Sequence, residues 1–264
     1  MELEYGDLLS PSPIRINGVG TIKKPLLRDI ADLSFSKFYY YELFLKMTPE
    51  KLYTKYATGD EAKKAWEELP DDTKQRITMF DLILNDTFLQ RIYEEVFGFF
   101  FKENVTFENG IFKLFMSDDC AKEKEAKEAQ NVITPITFQP VVEVIQQVCN
   151  IYVKEDSLDD MKFKNNTARK LMEKMLKGKK KREEQKKDDP SYSLPNIISA
   201  VSNYHKSINP ATVWDLTLYQ LMDAFDRLRR NVIFDVDKRR VSVWGDEKKQ
   251  FDTEYWFKYI KDVK

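Results

Sequence analysis

Residues 193–228 read SLPNIISAVSNYHKSINPATVWDLTLYQLMDAFDRL, and this stretch predicts two amphipathic helices joined by a short irregular segment. Apolar side chains recur at the helical spacing of i, i+3, i+4, i+7 and i+10 in the first helix, at Leu194, Ile197, Ile198, Val201 and Tyr204. Asn209-Pro210 ends this helix, because proline disfavours helix in the preceding residue and suits the first turn of a new one.

The second helix has a clear start signal. Thr217 and Gln220 fit a capping box, in which each side chain accepts a hydrogen bond from the backbone amide of the other residue. Leu216 and Leu221 occupy the positions of a hydrophobic staple across that cap. The pattern then predicts an apolar stripe along one face, formed by Leu218, Leu221, Met222, Phe225 and Leu228.

The composition predicts a mainly α protein, a helical bundle with two or three small β-hairpins. The chain has 264 residues, of which 42% are hydrophobic and 33% charged, as is typical of a globular protein with a solvated surface. It contains only 8 glycines. One large domain or two small ones can form a core at this length.

Residues 1–153 are expected to form an aromatic-rich helical domain. Ser34, Thr48-Pro49 and Asp86 are typical residues for the starts of helices, and a further helix is expected to run from Pro70-Asp71-Asp72 to about Leu84. Alternating apolar residues flank Asn109-Gly110, which predicts a β-hairpin near 105–115 with a type I′ turn. A smaller hairpin is expected around Asn17-Gly18.

Residues 154–190 differ in composition and are expected to be a basic linker or an exposed helix. Twelve Lys and Arg against three Glu between Lys162 and Lys187 give a net charge of +9. Such charge runs are usually solvated. The same segment could contact a polyanion, and its densest cationic run is Lys179, Lys180, Lys181 and Arg182.

Residues 191–264 are expected to form a C-terminal helical domain. After the two helices, β-branched residues at Val232–Val236 and Val241–Trp244 suggest a small hairpin near 232–244, turning at Asp237–Arg240. A short amphipathic helix is expected at Glu254–Ile260.

The chain shows no pattern of catalytic or metal-binding residues. His205 is the one histidine, and Cys120 and Cys149 have no metal-site spacing. The acidic residues from Asp235 fail the calcium-loop pattern, since Arg240 stands where glycine is needed. No nucleotide-binding or hydrolase motif is present. We therefore expect a protein that is not an enzyme, without cofactor or metal. The absence of a signal peptide and of a long apolar run favours the cytoplasm over a membrane.

The sequence around the second helix resembles tail-assembly chaperones of tailed bacteriophages. The residues that carry the resemblance are Trp214-Asp215, Leu216-Thr217-Leu218 and Leu221, which follow the order of a helix, a short segment with Trp-Asp, and an L-T-L-x-x-L helix. The resemblance implies a non-enzymatic helical protein that binds the tape-measure protein in the cytoplasm of the infected cell. The extra hairpins and basic segment leave a structural tail or baseplate component of the virion as an alternative.

An apolar groove on the second helix is the predicted partner-binding site. Its residues are Trp214, Leu218, Leu221, Met222 and Phe225, which could hold a partner helix or instead form the core of the C-terminal domain. A second alternative is nucleic-acid binding, with the two helices as a helix-turn-helix assisted by residues 162–187. Asp223 and Asp226 disfavour it, because their charge would repel the phosphate backbone. Self-association into a homo-oligomer stays open.

Overall fold

The computed structural model describes residues 1–56, 60–116, 131–151, 189–246 and 250–259. The chain divides into two compact units, Met1–Tyr152 and Val153–Lys264. Helices dominate both units, and two small antiparallel sheets accompany them, which confirms the predicted mainly α class. The expected basic linker, including Lys179–Arg182, lies almost wholly outside the described residues.

Nine α-helices are described in the N-terminal unit. Their bounds are α1 Tyr5–Leu9, α2 Leu27–Leu33, α3 Phe35–Leu45, α4 Pro49–Lys51, α5 Asp60–Glu68, α6 Asp71–Arg76, α7 Met79–Asn85, α8 Thr87–Phe100 and α9 Pro135–Val148. A π-helical turn, Leu52–Tyr56, follows α4.

Side-chain caps begin several of these helices where the sequence predicts them. The Ser34 hydroxyl accepts from the Lys37 amide at 3.3 Å, and one carboxylate oxygen of Asp86 accepts from the Phe88 amide at 2.8 Å. The single helix expected from Pro70 to Leu84 is wrong, because Thr78 starts a new one. Thr78 and Asp81 form a capping box, with the Asp81 carboxylate accepting from the Thr78 amide at 2.8 Å.

The two sheets lie in the N-terminal unit. Strands β1 Ile14–Ile16 and β2 Gly20–Ile22 form the smaller one, and β3 Asn104–Glu108, β4 Ile111–Phe115 and β5 Asn131–Ile133 form the larger one in that order. Asn109 and Gly110 both have positive φ, as the predicted type I′ turn requires. The sequence did not predict β5, which has only three residues.

Aromatic rings fill the core of the N-terminal unit. Phe97 on α8 is fully buried, and its ring meets Phe112 on β4 edge-to-face at 5.0 Å between centroids. Phe138 on α9 and Tyr93 on α8 pack on the same ring, at 5.9 Å and 5.8 Å. The core therefore ties the long helices to the three-stranded sheet.

Cys149, just after α9, is buried and packs as a small apolar side chain. Burial raises the pKa of its thiol well above the usual value, because the thiolate would lose its hydration. This raised pKa disfavours a reactive thiol.

Two α-helices are described in the C-terminal unit, α10 Leu194–Tyr204 and α11 Leu218–Trp244. Short 3₁₀ turns lie at Pro190–Tyr192 and Val213–Asp215. The predicted capping box begins α11, since Thr217 Oγ1 accepts from the Gln220 amide at 3.2 Å and Gln220 Oε1 accepts from the Thr217 amide at 2.9 Å.

The hairpin predicted near 232–244 is wrong, because α11 continues through it for a total of 27 residues. The expected turn at Asp237–Arg240 contains no Gly, Asn or Pro, and its Asp237–Arg240 pair at 3.2 Å is instead an i,i+3 contact along the helix. The helix ends at Gly245, which adopts a positive φ. The helix predicted at Glu254–Ile260 is also wrong, since the described residues there form turns.

A candidate partner-binding face on the long C-terminal helix

The five predicted partner-binding residues divide into two groups. Leu218 and Leu221 are buried, with 5% and 0% of their surface exposed. Helix α10 contacts α11 and buries its own apolar stripe, formed by Leu194, Ile197, Ile198 and Val201. Leu218 and Leu221 therefore belong to the core of the C-terminal unit and are not available to a partner in this conformation.

Trp214, Met222 and Phe225 are half-buried, and we call these three residues the proximal patch. They lie at the border between the core and the solvent, where part of each side chain is still accessible. The proximal patch is the part of the predicted groove that remains partly accessible to solvent.

The apolar face of α11 does not end at the proximal patch. On a helix with 3.6 residues per turn, Leu218, Phe225, Val232, Val236 and Val243 fall within about 40° of one another. The exposed fraction rises along this line, from 5% at Leu218 to 42% at Val232, 61% at Val236 and 71% at Val243. One apolar face is thus covered at its N-terminal end and open at its C-terminal end.

We call Val232, Val236 and Val243 the distal row. Ile233 and Trp244, which are 48% and 80% exposed, lie beside it. Sequence reasoning missed this face because the β-branched valines were assigned to strands. The i, i+4, i+11 spacing of the distal row is the signal that could have identified a helical face.

The opposite face of α11 is covered by the chain that follows it. Phe251 stacks on Phe234 with 5.5 Å between ring centroids, and the Arg230 guanidinium lies 5.9 Å from the centre of the Tyr255 ring. Nη1 of Arg230 also donates to the Lys258 carbonyl at 2.9 Å. Residues 250–259 therefore pack along one side of the helix and leave the distal row exposed.

The turn that brings the chain back is held by Asp246. Its carboxylate accepts hydrogen bonds from the backbone amides of Phe251 and Gln250, both at 2.9 Å. These two bonds lower the pKa of the carboxyl group, because they favour its charged form.

Arg230→Ala is expected to release residues 250–259 from α11. The side chain is only 8% exposed, and its removal eliminates both the hydrogen bond to Lys258 and the contact with Tyr255. Hydrogen exchange of the amides in 250–259 should accelerate by at least about 10-fold, since a charge-assisted bond and a cation–π contact contribute about 1–3 kcal/mol together. Arg239→Ala, at an exposed position of the same helix, is the control. Equal protection in both variants would contradict the role of Arg230.

The exposed end of α11 is rich in cations. Five Lys and Arg and two Asp lie between residues 229 and 244. Arg229 pairs with Asp226 at 3.8 Å, and Arg240 pairs with Asp237 at 3.2 Å. Asp235 and Arg239 make no ion pair with any residue that the structure describes.

The single histidine has a structural role in the C-terminal unit, and neither a metal cluster nor a membrane span is found among the described residues. In the part of the chain that the structure describes, no group of three His, Cys, Asp or Glu could hold a metal ion. Nδ1 of His205 accepts from the backbone amides of Ser207 and Ile208, both at 3.2 Å, so this side chain stabilises the turn after α10. Within the described ranges, none of the helices has the length and hydropathy that crossing a bilayer requires.

The C-terminal unit is thus a small helical domain built on one long, partly covered helix. Residues 180–261 match the family model described as the YomV second domain, a phage-derived family from Bacillus prophages. The match supports a phage protein. Comparison with curated proteins and comparison with solved structures each find no significant match.

Proposed function

We propose that this protein is a non-enzymatic phage tail-assembly chaperone that binds a helical partner such as the tape-measure protein. The observation that carries the proposal is the proximal patch, in which Trp214, Met222 and Phe225 remain half-buried at the edge of the core of the C-terminal unit. The match to a phage-derived family over residues 180–261 supports the biological setting.

The proximal patch is the proposed contact for that partner. Recognition of a helix in a groove uses apolar side chains at i, i+3, i+4 and i+7 of the incoming helix. Met222 and Phe225 are three residues apart on one face of α11, and Trp214 lies in the segment just before the helix. Large half-buried aromatic and thioether groups are typical anchors, because they lose most of their remaining hydration when a partner covers them.

Co-expression with the tape-measure protein of the same phage or prophage tests this function. We expect the tape-measure protein to be insoluble alone and to remain soluble in a complex with this chain. Met222→Glu with Phe225→Glu should weaken the complex by at least about 10-fold, since it places charges in an apolar contact. Ala200→Glu, on the exposed side of α10, is the matched control.

Thermal unfolding of each variant distinguishes lost binding from lost folding. The proposal requires that the double variant keeps its folded C-terminal unit and loses the partner. If the tape-measure protein is equally soluble, or equally insoluble, with and without the chain, the chaperone function is wrong.

A further inference from the structure

The distal row is an apolar face without a cover among the described residues, and its position on α11 indicates what kind of surface would complete it. It continues the face on which Leu218 is buried nearer the start of the helix. A second helix laid on the distal row would extend the burial of this face towards the C-terminal end of α11.

The charges beside the distal row indicate the identity of that second helix. Asp235 and Arg239 are four residues apart and lie on one side of the row. Neither has an ion-pair partner within the ranges that the structure describes. A surface that carries both an acid and a base available for pairing is self-complementary, as the contact between two identical subunits must be.

The orientation of such a pair follows from these charges. A parallel pair, related by a two-fold axis along the helices, would place the charged sides of the two copies on opposite sides of the interface, so that Asp235 of one copy could not reach Arg239 of the other. In an antiparallel pair, the two-fold axis would instead cross the helices near Asp237-Lys238. Asp235 of one copy and Arg239 of the other would then differ by only about 1.5 Å in their height along the helix axis. The same register brings Val232 level with Val243 of the second copy, and apolar groups meet apolar groups.

We propose that a second copy of this chain packs antiparallel on the distal row. The interface consists of Val232, Val236 and Val243 from each helix, and Asp235 pairs with Arg239 of the other copy on one side of it. The proposal does not depend on the tape-measure partner, because it concerns the protein alone and a different part of α11 from the proximal patch.

Sedimentation of the full chain over a range of concentrations tests the proposal. We expect a monomer–dimer equilibrium for the natural sequence. Val236→Asp should raise the dissociation constant on the order of 100-fold, because two carboxylates would lose their hydration in the apolar centre of the dimer. Asn231→Asp adds the same charge at an exposed position about 140° around the helix from Val236 and should leave the dimer intact.

Exchanging the charges tests the ion pair. Asp235→Lys and Arg239→Glu should each weaken the dimer by about 3- to 10-fold, since each leaves like charges opposed. The double variant restores opposite charges between the copies and should recover most of the affinity. A double variant that is as weak as the sum of its parts would contradict the Asp235–Arg239 contact.

Disulfide trapping tests the orientation. In a Cys120→Ser background, an equimolar mixture of Val232→Cys and Val243→Cys chains should form a disulfide between unlike chains, because the antiparallel register brings these positions together. A parallel pair would instead link Val232→Cys chains to each other. A chain that remains monomeric at all concentrations, with Val236→Asp indistinguishable from the natural sequence, overturns the proposal and leaves the tape-measure experiment unaffected.

Discussion

Phe97→Ala is expected to reduce the free energy of unfolding of the N-terminal unit by about 3–5 kcal/mol. The Phe97 ring is fully buried and contacts Tyr93, Phe101, Phe112 and Phe138. Its removal leaves a cavity between α8, α9 and the three-stranded sheet, and it eliminates four ring contacts that contribute beyond the buried area alone.

Urea unfolding, monitored through the hydrogen exchange of peptides from α8 and β4, measures this loss of stability in the N-terminal unit. Phe88→Ala is the matched control, because Phe88 lies on the same helix with 60% of its surface exposed. The control should change stability by less than about 0.5 kcal/mol. Similar losses in both variants would show that Phe97 is not at the centre of the core.

Gly20→Ala is the second large expected effect, with a loss of about 2–3 kcal/mol. Gly20 begins β2 with a φ of +147°, a backbone conformation that residues other than glycine rarely adopt. A Cβ at this position would lie 2.7 Å from Cδ2 of Leu114 and 3.1 Å from Cδ1 of Phe101. Both neighbours are buried, so the methyl group would displace core side chains as well as strain the backbone.

The same measurements apply to Gly98→Ala, which is the control for Gly20. Gly98 lies within α8. Leaving aside its two chain neighbours and the backbone of its own helix, a methyl group added at Gly98 would have no atom of a described residue within 4 Å. Alanine should therefore stabilise the helix by about 0.5–1 kcal/mol. Opposite signs at the two glycines are the expected result, and a neutral Gly20→Ala would contradict the close packing of β2 on β4.

Local signals in the sequence were sufficient for most helix starts. Ser34, Asp86 and Thr217 each cap a helix where predicted, because a side-chain oxygen that satisfies the first amides acts over only a few residues. Asn109-Gly110 likewise determines its turn through the φ values that it permits. In these cases the cause of the structure lies within four residues.

The predictions of secondary structure were wrong where the local preference of the residues differs from the structure that the rest of the chain imposes. Val232, Val236, Val241 and Val243 favour strands by propensity, but the helix that Thr217 caps extends through them without a breaking residue until Gly245. Strand β5 was missed because its three residues are ordered by pairing with β4, far away in the chain. The distal row could not be recognised from a sequence interpretation that placed its residues on strands.

The length of α11 also determines how far apart the two proximal patches lie in the proposed antiparallel pair. At about 1.5 Å per residue, its 27 residues span about 40 Å. In the antiparallel pair, the two Met222 side chains would lie at opposite ends of a rod and about 45 Å apart along its axis. With the partner contact proposed above, such a dimer would act as a bivalent spacer that engages two segments of one elongated partner and gains avidity from their connection.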